Sequence, residues 1–325
     1  MVGMGFIKMD NISKIAVCSR SFSQNHTLRG ELLKNYVNVK FNDEGVSLGG
    51  DELVDFLTGY DGAIVALEVI DEYVLSRLPM LKVIGKYGVG LDKIDLSSMD
   101  SHSISLGWTP GVNAQNVAEY TLAMALNLLK GIPLSMELAS RCEWRQIKGR
   151  QLSSMTYGIV GCGYVGKALV QLIKAFGCKI LVHDIKDMSD FCSENGISQV
   201  PLDTLVSQSD VLSVHVPKNR STEGMINKEL LSKMKPGSYL INSARGGLVD
   251  EIAVAELLDF EHLAGAAFDV LNEEPPLDGN FINHPKVIVT THIGGSSHEA
   301  ILAMGRAAIK GLKVHARASS FISFK

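Results

Sequence analysis

Short apolar runs alternate with amphipathic stretches over the first hundred residues. KIAVCS (Lys14 to Ser19), GAIVAL (Gly62 to Leu67), LKVIGKYG (Leu81 to Gly88) and HSISLGW (His102 to Trp108) each read as a buried strand. ELLKNY, GDELVDFL and DEYVLSRL carry apolar residues at helical spacing between them. Such alternation predicts a parallel sheet covered by helices, an α/β class. A turn follows at WTPGVN, and then Val117, Thr121, Met124, Leu128 and Leu129 recur at helical spacing. They predict one long helix from Asn116 to about Arg145, its stripe serving the core or a subunit interface. A second alternating block begins at TYGIV (Thr156 to Val160). KILVHD, DVLSVHVP, SYLINSA, AGAAFDV and VIVTTHIG supply its further strands, and a last helix runs from about Ser297 to Leu312.

The 325 residues suit two domains of roughly 150 residues each. A net charge of -4 gives no basic field, so no nucleic-acid or membrane partner is expected. Cys18, Cys142, Cys162, Cys178 and Cys192 form no CxxC pair and show no metal-ligand spacing, so no metal is expected and a reducing cytoplasm is. The opening residues lack the apolar core of a secretory signal, and Met9 is a second candidate start. The most apolar stretch, around TLAMALNLL, is too short to span a bilayer.

Gly161-Cys162-Gly163-Tyr164-Val165-Gly166 gives GxGxxG, a weak spacing alone and a strong one here. A predicted strand precedes it and a predicted helix follows. The first glycine permits the tight turn, the second lets backbone approach a pyrophosphate, and the third allows close helix–strand packing. The next strand ends in Asp184, whose carboxylate suits the ribose hydroxyls of NAD and repels the extra phosphate of NADP. Asp187 adds to that repulsion, and Lys186 softens it.

INSARGGLVDE (Ile241 to Glu251), AAFDVLNEEPP (Ala266 to Pro276) and THIGGSS (Thr291 to Ser297), with the placed GxGxxG, resemble the D-isomer-specific 2-hydroxyacid dehydrogenases, and within them the phosphoglycerate dehydrogenase-like members. The resemblance runs from about residue 60 to residue 312. It implies two Rossmann-like domains with parallel sheets, the N-terminal one flavodoxin-like and discontinuous. Residues 1–108 plus 296–325 would form the substrate domain and 109–295 the NAD-binding domain, with a cleft between them that closes on substrate. It also implies a homodimer with the long helix near the interface, and a small 2-hydroxy or 2-keto acid as substrate.

By the same resemblance, Arg245 binds the substrate carboxylate through its planar guanidinium fork. His292 is the acid/base, since imidazole gives and regains a proton near neutrality. Glu274 pairs with it, Glu273 being the competing choice. Asp269 contacts the nicotinamide carboxamide. His215, Val216 and Pro217 line the adenosine side, Ser243 and Ala244 pass near the nicotinamide half, and Thr222 and Gly294 also touch the cofactor. GKYGVGLDKID resembles the family's substrate loop, in which Val89 and Gly90 present backbone N–H groups to the carboxylate. Asn113 matches the hinge-helix motif and reaches the substrate.

Two departures stand out. Phosphoglycerate dehydrogenases carry an Arg-Ser pair after the strand aligned with GAIV; here Ala66-Leu67 stand there, followed by Glu68. Lys86 and Lys93 are the candidates to replace that charge. About a dozen residues follow the last helix, so no serine-sensing regulatory domain is expected. Two rivals share the fold: formate dehydrogenase, which pairs its histidine with glutamine rather than a glutamate such as Glu274, and an NAD(H)-sensing regulatory protein.

Overall fold

The computed structural model describes residues 12–324; the N-terminal stretch that bears Met9 lies outside them. The chain divides into two compact units. One runs up to Asn113 and resumes at His298, and the other is Ala114–Ser297.

In the first unit, β1 (Lys14–Val17), β2 (Asn38–Phe41), β3 (Gly62–Val65), β4 (Val83–Lys86) and β5 (Ser105–Gly107) all run parallel, in the order β5-β4-β3-β1-β2. This is the flavodoxin-like order. Every residue of β3 and β4 is buried, because helices cover both faces; hence their apolar runs are continuous rather than alternating. The helices start where short polar side chains take up their first N–H groups: Asn25 for His26–Leu33, Asp71 for Glu72–Leu75 and Asp95 for Leu96–Ser101. GDELVDFL forms the helix Gly50–Leu57. ELLKNY is helical only in its first half, since the chain turns after Leu33 to enter β2. That edge strand has no fully buried position, so it carried no apolar signal.

The second unit holds β6 (Thr156–Val160), β7 (Lys179–His183), β8 (Ser198–Gln199), β9 (Val211–Val214), β10 (Ser238–Asn242), β11 (Leu263–Phe268) and β12 (Val287–Val289). Their order is β12-β11-β10-β9-β6-β7-β8, all parallel. The strand order reverses between β6 and β9, the Rossmann switch point. Leu212, Val214, Leu240 and Phe268 pack on one face of it, and Tyr157, Ile159, Ile241 and Ala267 on the other. The last described strand, β13 (Ala316–Arg317), returns to the first sheet, antiparallel to β5. It is preceded by the helix His298–Gly311, which lies so close to β4 and β5 that a Cβ on Gly85 would sit 2.4 Å from the Ala308 carbonyl oxygen.

The single helix expected from Asn116 to about Arg145 is two helices, Ala114–Lys130 and Ile132–Ser140, bent by 62°. Gly131 adopts φ 61 between them, and Pro133, lacking an N–H, sits in the first turn of the second. Beyond Arg141 the chain is extended or irregular to Gln151. No single helix among the described residues is long and apolar enough to cross a membrane.

Candidate active site

The glycine turn lies at the switch point. Gly161 has φ 92, and a Cβ there would lie 2.9 Å from the His215 carbonyl oxygen and 2.8 Å from Val216. Only glycine lets the ends of β6 and β9 meet in this way. A Cβ on Gly166 would press to 2.3 Å of the Gly161 oxygen, so the third glycine seats the helix Tyr164–Ile173 on the turn. Gly163 differs: a Cβ there meets nothing within 4 Å. It is the N-cap of that helix and offers no side-chain oxygen to its first N–H groups, which leaves them to an anion. Tyr164 is exposed and Val165 half-buried beside it. The Asp184 carboxylate, expected at the ribose hydroxyls, accepts the Cys162 N–H at 2.8 Å and the Lys186 N–H at 2.9 Å, so it also braces the glycine turn. An open glycine, an uncapped helix N-terminus and a carboxylate beyond β7 fit a dinucleotide.

On the other side of the turn, His215 Nε2 lies 2.9 Å from Ser213 Oγ while its Nδ1 is buried without a partner. Burial pushes the imidazole down to about 3, so it is neutral at ordinary pH. Thr222 Oγ1 donates to the Pro217 carbonyl at 2.6 Å and accepts the Asn219 N–H at 2.9 Å, closing the loop that follows.

Arg245 stands just beyond β10. Asn242, the last residue of that strand, accepts the Ala244 N–H at 3.2 Å and donates to the Arg245 carbonyl at 2.9 Å, which fixes the backbone on both sides. Arg245 Nη1 donates to the Ala244 carbonyl at 2.7 Å. Ser243 is tied to Thr121 of the helix Ala114–Lys130, hydroxyl to hydroxyl at 2.8 Å.

His292 Nδ1 lies 2.7 Å from Glu274 Oε2. The other carboxylate oxygen, Oε1, accepts the Leu271 N–H at 3.0 Å, which fixes Glu274 within its turn. Glu273, the competing choice, is exposed and is not the residue that meets the imidazole. His292 adopts φ 57, a left-handed conformation that costs a non-glycine residue about 1–2 kcal/mol. Asp269 supplies the restraint. It is 3% exposed, and its Oδ1 accepts from Thr290 Oγ1 at 2.6 Å and the Ile293 N–H at 2.8 Å, while Oδ2 accepts the Gly294 N–H at 2.7 Å. The residue expected to meet the nicotinamide is thus also the anchor of the loop carrying His292. The helix Ala114–Lys130 completes the clamp: Tyr120 Oη lies 2.6 Å from Thr290 Oγ1, and Asn116 Nδ2 donates to the Gly294 carbonyl at 2.7 Å. Burial pushes the Tyr120 hydroxyl up to about 12, so it stays protonated.

Sequence reasoning missed Asn116, Tyr120, Thr121, Asn242 and Thr290 as parts of this scaffold. Only Thr121 carried a signal, polarity within the apolar stripe; it is fully buried. The segments of Arg245 and Glu274 meet through backbone, since a Cβ on Gly246 would lie 1.8 Å from the Leu271 carbonyl oxygen.

The substrate-side candidates Val89, Gly90 and Asn113 belong to the first unit. Val89 and Gly90 are half-buried just past β4, and the Val89 carbonyl accepts the Trp108 indole N–H at 3.1 Å. Lys86, at the end of β4, is buried and its ammonium donates to the Ala66 carbonyl. Glu68 Oε2 accepts the Ala66 N–H at 2.5 Å. Lys93 is exposed. Among the described residues no group of three His, Cys, Asp or Glu side chains is placed to hold a metal ion.

Comparison with known proteins shows the family. Residues 122–294 match the family model described as the D-isomer specific 2-hydroxyacid dehydrogenase, NAD binding domain. D-3-phosphoglycerate dehydrogenase of Bacillus subtilis (strain 168) is 36% identical over 251 residues, covering 76% of this chain and 48% of that relative. A solved D-isomer specific 2-hydroxyacid dehydrogenase from Polaromonas superposes with a TM-score of 0.86 at 28% identity, covering 93% of this chain and 96% of that one. D-lactate dehydrogenase from Aquifex aeolicus, solved with NAD and lactic acid, gives 0.82 at 28% identity, covering 92% and 94%. The chain spans about half the length of the curated relatives it matches.

Proposed function

Because the chain belongs to the D-isomer specific 2-hydroxyacid dehydrogenase family, we propose that it interconverts a D-2-hydroxy acid and its 2-keto acid with NAD(H), as phosphoglycerate dehydrogenase-like members do. The observation that carries this reading is the hydrogen bond between His292 Nδ1 and Glu274 Oε2 on a loop held by Asp269.

When bound, NAD(H) would supply or accept the hydride. Gly163, the N-terminus of Tyr164–Ile173 and Asp184 would hold it, with Ser243, Ala244, Asp269 and Gly294 toward its nicotinamide half and His215, Val216, Pro217 and Thr222 toward the adenosine. In the reducing direction, Arg245 binds the substrate carboxylate with its guanidinium fork and polarises the keto oxygen. The imidazole of His292 turns Nδ1 toward Glu274, so its Nε2 holds the proton that the keto oxygen takes up. The carboxylate keeps the ring oriented and stabilises its charged form until the proton leaves. In the oxidising direction Nε2 receives the proton from the hydroxyl.

Around Ala66 a second reading gains support. Lys86 and Glu68 spend polar contacts on the Ala66 backbone, and Leu67 is 66% exposed and apolar. This favours a keto acid without a phosphate, such as glyoxylate or hydroxypyruvate, over phosphohydroxypyruvate. A homodimer in the cytoplasm suits the chain as well: Leu134, Met136 and Trp144, on and after the helix Ile132–Ser140, are large apolar side chains exposed at 42%, 68% and 95%, which a second copy would cover.

An NADH-oxidation screen over hydroxypyruvate, glyoxylate, pyruvate, 2-oxoglutarate and phosphohydroxypyruvate tests the assignment. Turnover of at least one, yielding the D-hydroxy acid, is expected. NADH binding without turnover of any of them would favour a regulatory role instead.

A further inference from the structure

Glu251 ends the INSARGGLVDE motif, and nothing in the mechanism above uses it. It is the first residue of the helix Glu251–Asp259, half-buried at the helix N-terminus. Its Oε1 accepts the Asn272 N–H at 2.7 Å. Asn272 in turn accepts the Gly247 N–H on its Oδ1 at 2.5 Å. The neighbouring Leu271 N–H donates to Glu274 Oε1, and Glu274 Oε2 meets His292. A single chain of bonds therefore runs from the Arg245 segment, through Asn272, to the turn that presents the acid of the His292 pair.

We propose that Glu251 is a positioning residue for this reaction: through Asn272 it sets the place of the 271–274 turn and so the alignment of Glu274 on His292. The proposal rests on the functional reading above. Leu271 packs in the core, but Asn272 to Leu277 are all exposed, so beyond Leu271 no side-chain packing from the core holds this turn. Its position depends on bonds to residues elsewhere in the chain, and Glu251 makes one to its backbone. Burial, with the negative charges of Asp250 and Glu274 as lesser causes, raises the Glu251 carboxyl. An acid kept there against its neighbours' charge is consistent with a bond worth keeping.

Three variants test this, read by steady-state kinetics and by the imidazole Nδ1–H resonance of ¹⁵N-histidine-labelled protein. Glu251→Ala should lower kcat about tenfold, the scale of a sub-ångström misplacement, with the melting temperature and the NADH dissociation constant nearly unchanged. It should also lose the downfield Nδ1–H signal that the Glu274 bond produces. Glu251→Gln keeps an oxygen for the Asn272 N–H and should retain both the rate, within about twofold, and the signal. In a Glu274→Ala background, Glu251→Ala should cost nothing more. The proposal is overturned by full kcat and an intact resonance in Glu251→Ala, by equal losses in the Ala and Gln variants, by a loss confined to NADH affinity, or by additive losses in the double variant. If the wild type reduces no keto acid, the functional reading falls, and the resonance still decides whether Glu251 places Glu274.

Discussion

His292 and Glu274 lie eighteen residues apart in sequence and 2.7 Å apart in space, Nδ1 to Oε2. The pairing fixes which nitrogen faces the carboxylate and leaves Nε2 as the atom that trades a proton. Glu274→Gln preserves the shape of the side chain and removes its charge, so the charged imidazole loses its partner. We expect kcat to fall roughly 10- to 100-fold while the NADH dissociation constant, measured by fluorescence quenching, stays within about twofold. An unchanged kcat would show that Glu274 does not support the imidazole.

Asp269 anchors the loop of His292 through one side-chain and two backbone donors. Asp269→Ala leaves the Ile293 and Gly294 N–H groups without that acceptor. Removing a buried acceptor from such donors costs about 1–3 kcal/mol. Urea unfolding should register that loss, and kcat should fall with it, because φ 57 at His292 is then unsupported. Thr290→Val removes one bond only and should cost less on both measures.

The glycine turn separates folding from binding. Gly161→Ala forces a side chain into a left-handed residue against the backbone of His215, so it should destabilise the protein. Gly163→Ala meets nothing and has φ -77, so its melting temperature should match the wild type. If a pyrophosphate approaches that open backbone, the same variant should weaken NADH binding about tenfold or more. Unchanged NADH affinity in Gly163→Ala would place the dinucleotide elsewhere.

His215 gives a pH signature. Its folded value is pushed down to about 3 from the ordinary 6.5, so the unfolded chain binds the proton first. Stability is then fully present above 6.5 and is lost as pH falls toward 3, by at most about 1.4 kcal/mol per pH unit. Guanidinium unfolding at pH 7.5, 5.5 and 4.5 should show a shallower acid decline in His215→Asn than in the wild type. Parallel declines would mean the imidazole takes up its proton as readily in the fold as in the unfolded chain.

Much of this was legible in the residues. Continuous apolar runs marked β3, β4, β6 and β9 because both faces of these strands are covered, and the GxGxxG spacing marked the turn because each glycine answers a different steric demand. The elements that escaped notice bury little: β2 has no fully buried position, and β8 and β13 span two residues each. The helix expected to run to Arg145 broke at Gly131, where the local signal of a glycine close before Pro133 outweighed the apolar stripe. The family resemblance pointed to Glu274 and His292, and their meeting is a matter of tertiary structure. Asn116, Tyr120 and Thr290 gave no sign of their part, since hydrogen bonds between segments far apart in the chain leave no periodicity to read.

The central claim is that His292 handles the proton while other residues hold the cofactor. Replacing His292 with Ala and measuring keto-acid reduction alongside NADH binding tests it most directly. The account predicts a fall in kcat of roughly 10²- to 10⁴-fold with the NADH dissociation constant nearly unchanged. Turnover within a few-fold of the wild type would contradict it.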